Sequence, residues 1–286
     1  MEIKDRIAVV TGGASGIGRA LSLALAEHGT EAVVVSDVDA DGAAMVAAEI
    51  TGRGRNAVAV TADVASELDI QALVAQAQHE FGRIDLVCSN AGIIVPGGIE
   101  VPDAAWSRMW AINVQSHVYL ARAVLPGMLA RGEGCLVITA SAAGLLTQLG
   151  SASYAVTKHA AVALAEWLSI TYGDRGIRVS CLCPQAVSTN LGATSHRELG
   201  GLMPPAADTG AVPSPAGNGS VSRQASVDGV LSPEQVAASV IAAVTDERFL
   251  ILPHPQVAAY ERRRAEDRDR WLGGMRRLQG RLAGRS

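Results

Sequence analysis

Short apolar runs rich in β-branched residues alternate along the chain with longer segments rich in Ala and Leu. The runs that predict strands are RIAVVTGG, EAVVVSD, NAVAVTAD, IDLVCSNAG, GCLVITAS, IRVSCLCP and RFLILP. The segments between them predict helices at 18–28, 40–51, 67–81, 103–131, 153–172 and 232–245. Strands that are apolar throughout are buried on both faces. The alternation therefore predicts an α/β fold, with a doubly wound parallel sheet of about seven strands and helices on both faces.

One internal segment interrupts this alternation. Residues 191–229 are rich in Gly, Pro, Ala and Ser and contain only scattered large apolar side chains. This composition predicts a long loop. It is interpreted either as a disordered surface insertion or as a lid over a site, and we favour the lid because long loops in compact domains often have that role.

The carboxyl-terminal segment has a different composition from the rest of the chain. Residues 261–286 contain nine arginines and four acidic residues, with apolar side chains at helical spacing. This pattern predicts a basic amphipathic helix. Such a helix binds a membrane or an acidic partner, or it packs on the protein body or a neighbouring subunit, and we favour packing. The predicted organisation is one domain at 1–255, with a substrate loop at about 190–230, and a helical extension at 256–286.

Composition limits the classes of function. A chain of 286 residues with 49% hydrophobic residues is long enough for a sizeable core. Its net charge of -4 and pI near 5.9 argue against nucleic acid as a partner. The amino terminus enters a strand without a signal-peptide pattern, and no apolar run is long enough to span a bilayer, so we expect a soluble cytoplasmic protein that does not bind membranes. Neither the four cysteines nor the six histidines have metal-ligand spacing, so we expect reduced thiols and no metal.

A glycine-rich turn follows the first predicted strand. Gly12, Gly16 and Gly18 lie between that strand and the first helix. Glycines at such a turn let the backbone approach a pyrophosphate, and the start of the helix supplies N–H donors. Asp37, at the end of the second strand, is placed to accept hydrogen bonds from ribose hydroxyls and to repel a 2′-phosphate. The pattern predicts a dinucleotide site that favours NAD over NADP; the alternative for Asp37 is a solvated acid at a strand end.

Tyr154 and Lys158 are four residues apart on a predicted helix, so they share one face. A phenol with a pKa of about 10 is a poor acid or base near neutrality, and an adjacent ammonium lowers that pKa. The pair alone is equally typical of a solvated helix face.

Several motifs occur together and in one order. They are Gly12-x-x-x-Gly16-x-Gly18, SNAG at 89–92, Asn113, Ser141 and Tyr154-x-x-x-Lys158. Together they resemble the short-chain dehydrogenase/reductase family, in its plain, non-extended branch, over roughly residues 3–253. The resemblance implies a Rossmann-type NAD-binding catalytic domain.

The resemblance also implies residue roles. Tyr154 would be the acid/base, Lys158 would lower its pKa and bind the nicotinamide ribose, and Ser141 would hold the substrate oxygen. Asn113 would order a water relay from Lys158. The implied cofactor contacts are Gly12, Ser15, Gly16, Ile17, Gly18, Asp37, Asp63, Val64, Asn90, Ala91, Gly92, Tyr154, Lys158, Pro184, Val187 and Thr189.

One position departs from the family pattern. Gln185 follows Pro184, where the family usually has glycine. Its side chain either reshapes the pocket or hydrogen-bonds the substrate, or it points away from it. The expected substrate residues are Val95, Ser141, Ala143, Leu149, Gln185, Leu191, Leu202 and Met203. Most of them are apolar, which favours a hydrophobic or cyclic small-molecule substrate.

The function that the resemblance implies is an NAD(H)-dependent oxidoreductase that interconverts a secondary alcohol and a ketone. One alternative is an NADPH-dependent 3-ketoacyl-carrier-protein reductase, which Asp37 opposes. Another is a non-catalytic nucleotide-sensing protein, whose usual loss of the Ser, Tyr or Lys is absent here. The resemblance further implies a homotetramer or dimer formed through the helices around Asn113 and Tyr154.

Overall fold

The computed structural model describes residues 1–202, 211–213, 220–222 and 224–282 of the chain. Nine strands occur among these residues. They are β1 (Ile7–Thr11), β2 (Ala32–Asp37), β3 (Ala57–Thr61), β4 (Leu86–Ser89), β5 (Gly134–Thr139), β6 (Ile177–Leu182), β7 (Ala211–Pro213), β8 (Ser220–Ser222) and β9 (Leu250–Ile251).

The main sheet has seven strands in the order β3-β2-β1-β4-β5-β6-β9, and every pairing in it is parallel. This confirms the predicted fold class. The strand order reverses between β1 and β4, and a crevice opens at such a reversal beyond the carboxyl ends of the strands. Strands β7 and β8 form a separate antiparallel pair.

The helices cover both faces of the sheet. They are α1 (Gly16–Glu27), α2 (Ala40–Gly52), α3 (Glu67–Phe81), α4 (Asp103–Trp110), α5 (Ser116–Arg131), α6 (Ala143–Leu146), α7 (Ala152–Tyr172), α8 (Leu191–Leu199), α9 (Pro233–Thr245), α10 (Gln256–Glu266) and α11 (Arg268–Leu282). Within the described ranges, no helix combines the length and the apolar character needed to cross a membrane.

Two hydrophobic cores lie on opposite faces of the sheet because side chains alternate along each strand. Val9 belongs to the core beneath α3, α5 and α7, whereas its neighbours Ala8 and Val10 belong to the core beneath α1, α2 and α9. All three side chains are fully buried. The sheet is therefore packed on both faces, and the crevice lies beyond the carboxyl ends of its strands.

Local sequence signals explain where several helices begin and end. Ser66 accepts a hydrogen bond from the backbone N–H of Asp69 and so caps α3, which ends at Gly82 with a φ of 78°. At α9, Ser232 and Gln235 form a capping box, with Pro233 in the first turn.

Three predicted elements differ from the structure. The predicted helix at 103–131 contains a π-helical turn at Ala111–Gln115. The predicted loop at 191–229 begins with helix α8 and a 3-10 turn at Gly200–Leu202. The single predicted carboxyl-terminal helix is two helices, because the extended backbone of Asp267 ends α10 and its Oδ1 accepts from the N–H of Arg270 to start α11.

Candidate active site

The glycine turn joins β1 to α1 beneath a cleft of about 520 Å³, a volume in the usual range for small-molecule sites. A Cβ on Gly12 would lie 2.9 Å from the Cα of Ala91, and a Cβ on Gly18 would lie 1.9 Å from the carbonyl oxygen of Gly12. Gly12 and Gly16 also have positive φ values, which glycine adopts most readily. This turn therefore forms only without side chains at these positions.

The predicted cofactor residues of the turn do not all reach the cleft. Gly12, Ser15, Gly16 and Ile17 line it. Gly18 does not line it, because its Cα faces the Gly12 carbonyl, so its contribution is the close approach of α1 to the turn.

Asp37 lines the cleft at the end of β2, and two backbone N–H groups fix its carboxylate. Oδ2 accepts from the N–H of Ala14 at 3.0 Å, and Oδ1 accepts from the N–H of Asp39 at 3.0 Å. The acid is thus held against the glycine turn and is not a freely solvated side chain.

Asn90 links the ends of three strands. Its backbone N–H donates to Thr11 Oγ1 at 3.0 Å, and its Nδ2 donates to the Thr11 carbonyl at 3.1 Å. Its Oδ1 accepts from the hydroxyl of Thr139 at 3.2 Å. Together with Ala91 and Gly92, Asn90 lines the cleft. The hydrogen bonds of Asn90 therefore hold the SNAG segment in place at the base of the cleft.

Asp63 and Val64 line the same cleft beyond β3. Asp63 forms an ion pair with Arg108 at 3.0 Å, and Arg108 also pairs with Glu198 of α8 at 2.9 Å. One guanidinium on α4 thus connects the wall of the cleft to the helix that covers it.

Ser141, Tyr154 and Lys158 meet at the cleft wall, although the first lies just after β5 and the other two lie on α7. The Nζ atom of Lys158 donates to the Thr139 carbonyl at 2.8 Å and lies 5.7 Å from the centre of the Tyr154 ring. The Ser141 hydroxyl donates to the Pro184 carbonyl at 3.4 Å. A phenol, a hydroxyl and an ammonium thus face one space.

Burial dominates the electrostatics of this group. Burial raises the pKa of Tyr154, and its hydrogen bond with Ser141 opposes that shift. Burial also lowers the pKa of Lys158 from 10.5 to about 8. Because burial has the largest effect, the phenol is protonated at neutral pH, and a lowering of its pKa by Lys158 stays a prediction.

Asn113 supports the site from below and does not line the cleft. Its Oδ1 accepts from the N–H of Ile93 at 2.9 Å, and its Nδ2 donates to the Ile93 carbonyl at 2.8 Å and to Thr157 Oγ1 at 3.2 Å. The side chain is fully buried in the π-helical turn. Such turns are frequent at functional sites.

His117 is a buried group near the site that the sequence patterns did not single out. Its Nδ1 shares a hydrogen bond with the hydroxyl of Ser89 at 2.5 Å. Burial, reinforced by the charge of Lys158, lowers the pKa of His117 to about 3. The imidazole is therefore neutral at physiological pH.

The expected substrate residues divide into three groups. Ser141, Ala143, Leu149, Gln185 and Leu191 line the cleft. Val95 does not, because its fully buried side chain points into the core while its neighbours Ile94 and Pro96 reach the wall. Leu202 does not line it either, since it lies 37% exposed in the turn after α8. Met203 lies outside the described residues.

The remaining predicted cofactor residues follow β6. Pro184, Val187 and Thr189 line the cleft, and the Thr189 methyl group would lie 3.1 Å from a Cβ on Gly16. Further wall residues carry no sequence motif that predicts them. They include Val38, Ile94, Pro96, Leu146, Thr147, Gln148, His196 and Gln224. Only the fold brings these side chains to the cleft.

The chain resembles known proteins in both sequence and fold. The sequence model described as short chain dehydrogenase matches residues 6–199. A crystal structure of a short chain dehydrogenase/reductase from Burkholderia phymatum in complex with NAD superposes with a TM-score of 0.81 at 32% sequence identity, covering 94% of this chain and 96% of that chain.

Two curated relatives act on cyclic alcohols according to their names. The chain is 42% identical over 207 residues to 1-deoxy-11-beta-hydroxypentalenate dehydrogenase of Streptomyces exfoliatus, covering 70% of this chain and 75% of that protein. It is 34% identical over 192 residues to cyclohexanol dehydrogenase of Acinetobacter sp. strain SE19, covering 66% of this chain and 76% of that protein.

Proposed function

The chain belongs to the short-chain dehydrogenase family, and from this membership we propose that it is an NAD(H)-dependent oxidoreductase that interconverts a secondary alcohol and a ketone. The observation that carries the proposal is the meeting of Ser141, Tyr154 and Lys158 in one cleft with the glycine turn. The fold brings together residues from three separate parts of the chain, as acid/base chemistry beside a dinucleotide requires.

The cleft fits a dinucleotide. Side chains at Gly12 and Gly18 would collide with neighbouring backbone atoms, so the backbone there is kept open for a pyrophosphate next to the start of α1. Ser15, Gly16 and Ile17 would hold the phosphates, Asp37 the adenosine ribose and Lys158 the nicotinamide ribose. Asp63, Val64 and the SNAG segment would flank the adenosine, with Pro184, Val187 and Thr189 at the nicotinamide. When bound, the nicotinamide accepts or donates a hydride.

The protein supplies the proton. In the reducing direction the Tyr154 hydroxyl donates to the carbonyl oxygen of the substrate, and its raised pKa keeps it protonated for that step. The Ser141 hydroxyl holds the same oxygen and stabilises the charge that develops on it. The positive charge of Lys158 offsets the negative charge left on Tyr154 after the proton has been donated. Asn113 holds the Ile93 backbone that borders this space.

The carboxylate of Asp37 supports NAD over NADP. It is fixed at the wall by the N–H groups of Ala14 and Asp39, so it has no freedom to turn away from a 2′-phosphate. Among the described wall residues Lys158 is the single lysine or arginine, and its ammonium lies on the Thr139 carbonyl. A 2′-phosphate would therefore meet an anion and no cation, which opposes the NADPH-dependent ketoreductase alternative.

We further propose a hydrophobic or cyclic substrate. Ala143, Leu146, Leu149 and Leu191 form an apolar wall near Tyr154, and the pentalenate and cyclohexanol dehydrogenases named above support a cyclic alcohol.

Self-association is part of the proposal. Trp110 of α4 and Val156, Trp167 and Ile170 of α7 are large apolar side chains that are at least 45% exposed. Large apolar side chains exposed on these helices are of the kind that an interface covers, which supports a homotetramer or dimer through these helices. The four cysteines are buried free thiols, in keeping with a reducing, cytoplasmic setting.

The proposal is tested with a panel of linear and cyclic secondary alcohols, NAD⁺ or NADP⁺, and the absorbance of the reduced nicotinamide. We expect turnover with cyclic alcohols and NAD⁺. Tyr154→Phe should bind NADH normally and lose turnover by ~10²- to 10⁴-fold. A preference for NADP⁺ would refute the cofactor assignment, unchanged turnover of Tyr154→Phe would refute the acid/base role, and NADH binding without turnover would support the nucleotide sensor.

A further inference from the structure

We propose that Tyr260, in the carboxyl-terminal extension, is a positioning residue for the alcohol substrate. Through Asp228 it holds a turn at the end of the predicted substrate loop, and Gln224 of that turn fixes the substrate wall of the cleft. This inference rests on the proposed function. It gives a role in that function to an extension that the acid/base and cofactor residues do not use.

Helix α10 of the extension packs beside the wall of the cleft. Val257, in its first turn, is fully buried in the core beneath α3, α5 and α7, and the Tyr260 ring packs against the same core. The helix also contacts α6, which carries the wall residues Ala143 and Leu146. Side chains of α10 therefore lie close to the substrate end of the cleft, although no described residue of α10 lines it.

Tyr260 is bonded to the substrate loop. Its hydroxyl donates to Oδ1 of Asp228 at 3.0 Å, and Asp228 belongs to a turn at 224–228. Burial and then the Asp228 carboxylate raise the pKa of Tyr260, so the hydroxyl keeps its proton at neutral pH and can donate it to this bond. A hydrogen bond to an ionised acceptor is stronger than one between neutral groups. The extension thus holds the turn by a bond of the stronger kind.

The backbone attaches both ends of this region to the stretch that follows β6. The N–H of Ala186 donates to the carbonyl of Ala225 at 3.3 Å, and the N–H of Leu231 donates to the carbonyl of Ala186 at 3.1 Å. Asp228 lies midway between Ala225 and Leu231 along the chain. The bond from Tyr260 therefore holds the turn at a point between its two backbone attachments.

Gln224 joins the same turn to the substrate wall. Its Oε1 accepts from the N–H of Leu149 at 2.8 Å, and its Nε2 donates to the carbonyl of Thr147 at 3.4 Å. All three residues line the cleft. Thr147 has a φ of 78°, which a β-branched residue rarely adopts, so the wall is strained at this point and needs contacts that hold it.

The bond between Tyr260 and Asp228 makes the contact of Gln224 with the wall more favourable. A glutamine with both ends of its amide bonded loses rotamer freedom, and the loss is smaller when its backbone is already held. The bonds of Gln224 reach the wall segment of Leu149 and not the glycine turn or Asp37. Loss of the Tyr260 hydroxyl should therefore weaken binding of the alcohol and leave binding of NAD⁺ unchanged.

The test measures steady-state kinetics with NAD⁺ and the cyclic alcohol that has the highest kcat/KM in the panel described above. We expect Tyr260→Phe to raise KM for the alcohol by ~5- to 10-fold, and to change kcat and KM for NAD⁺ by less than ~2-fold. Asp228→Ala should have the same effect, whereas Asp228→Asn keeps an acceptor for the hydroxyl and should restore most of the affinity. Tyr172→Phe, at the opposite end of α7 from Tyr154, is the matched control and should behave as the wild type.

A double-mutant cycle separates positioning from a general loss of stability. Gln224→Met removes the two bonds to the wall. If Tyr260 acts through Gln224, adding Tyr260→Phe to Gln224→Met should raise KM for the alcohol little further, whereas independent effects would multiply. Hydrogen exchange of peptides that span residues 147–150, measured by mass spectrometry without substrate, should be faster in Tyr260→Phe than in the wild type and Tyr172→Phe.

Thermal unfolding of each variant accompanies these measurements. Multiplying effects in the double variant, an equal rise of KM for NAD⁺, or an Asp228→Asn variant as impaired as Asp228→Ala would overturn the inference, while wild-type turnover would leave the proposed function intact. If no alcohol supports NAD-linked turnover, the proposed function fails and the role of Tyr260 in alcohol binding fails with it. Unchanged hydrogen exchange at 147–150 in Tyr260→Phe would overturn the inference whether or not turnover is found.

Discussion

The ammonium of Lys158 donates to the carbonyl oxygen of Thr139 at 2.8 Å, so the end of β5 holds a buried cation beside Tyr154. Burial lowers the pKa of this lysine from 10.5 to about 8, because the charged form loses its hydration. The buried ammonium of Lys158 therefore destabilises the folded state at neutral pH.

The pH dependence of stability should reveal that cost. Between about pH 8 and pH 10.5 the unfolded chain keeps the lysine proton and the folded chain releases it, so the free energy of unfolding rises with pH. We expect the wild type to gain up to ~3 kcal/mol across this window relative to Lys158→Met, which lacks the group. Urea titrations of both proteins at several pH values measure it. Lys4→Met removes an exposed lysine and should run parallel to the wild type; a parallel course for Lys158→Met would contradict the buried cation.

The contact between Gly18 and Gly12 makes a steric prediction. A Cβ on Gly18 would lie 1.9 Å from the Gly12 carbonyl oxygen. Because that oxygen belongs to the backbone, it cannot rotate away as a flexible side chain could. Gly18→Ala should therefore displace the turn and weaken NADH binding by at least ~10-fold, as strain of more than ~1.4 kcal/mol requires. Fluorescence titration of NADH measures this affinity.

Gly52→Ala is the matched control for that change. Gly52 is also a helical glycine, at the end of α2, but a Cβ there meets nothing within 4 Å. The substitution should leave NADH affinity unaltered and stabilise the protein by up to ~1 kcal/mol. Similar NADH affinity in both variants would contradict the turn as the pyrophosphate cradle.

Cofactor choice should depend on the charge of Asp37. Asp37→Asn keeps the size of the side chain and removes the anion, so we expect kcat/KM for NADP⁺ to rise by at least ~10-fold relative to NAD⁺. Asp39→Asn is the matched control, because Asp39 caps α2 through the N–H of Gly42 and does not line the cleft. If both variants change the NADP⁺/NAD⁺ ratio equally, the effect is one of general charge and the role of Asp37 is refuted.

The sequence predicts the parts of this protein that depend on local patterns. The seven parallel strands follow from apolar periodicity, and the glycine turn follows from residues that only that turn needs. Residues brought together by tertiary packing were harder to predict. The apolar character of Val95 predicts a wall residue, but its side chain packs in the core while Ile94 and Pro96 line the cleft.

The same limit explains the other differences. The pKa of Tyr154 depends on burial, which the i, i+4 spacing of Tyr154 and Lys158 does not contain. Asp267 reads as one more polar residue in an amphipathic pattern, and only its backbone and its bond to Arg270 show that it divides two helices. His117 carries no motif, because a buried histidine and an exposed one look alike in a sequence.

Arg108 supports a final prediction about the helix that covers the cleft. Its guanidinium pairs with Asp63 at the wall and with Glu198 on α8, and all three side chains are at most 35% exposed. Ser195 of α8 also accepts from the N–H of Ile94 at 2.9 Å, so α8 is attached to the body at two points. Breaking the ion pair between Arg108 and Glu198 should weaken one of these two attachments of α8.

Glu198→Gln should therefore raise KM for the alcohol by ~5-fold, the equivalent of ~1 kcal/mol for a partly buried pair, and leave KM for NAD⁺ nearly constant. Arg108→Met should raise both constants, because it leaves Asp63 without its partner as well. Steady-state kinetics with each substrate varied in turn separate the two effects. Arg122→Met, which breaks the exposed pair with Glu67 on the α3–α5 face, controls for the loss of a surface cation. Equal changes in both constants for Glu198→Gln would show that α8 does not act on the alcohol alone.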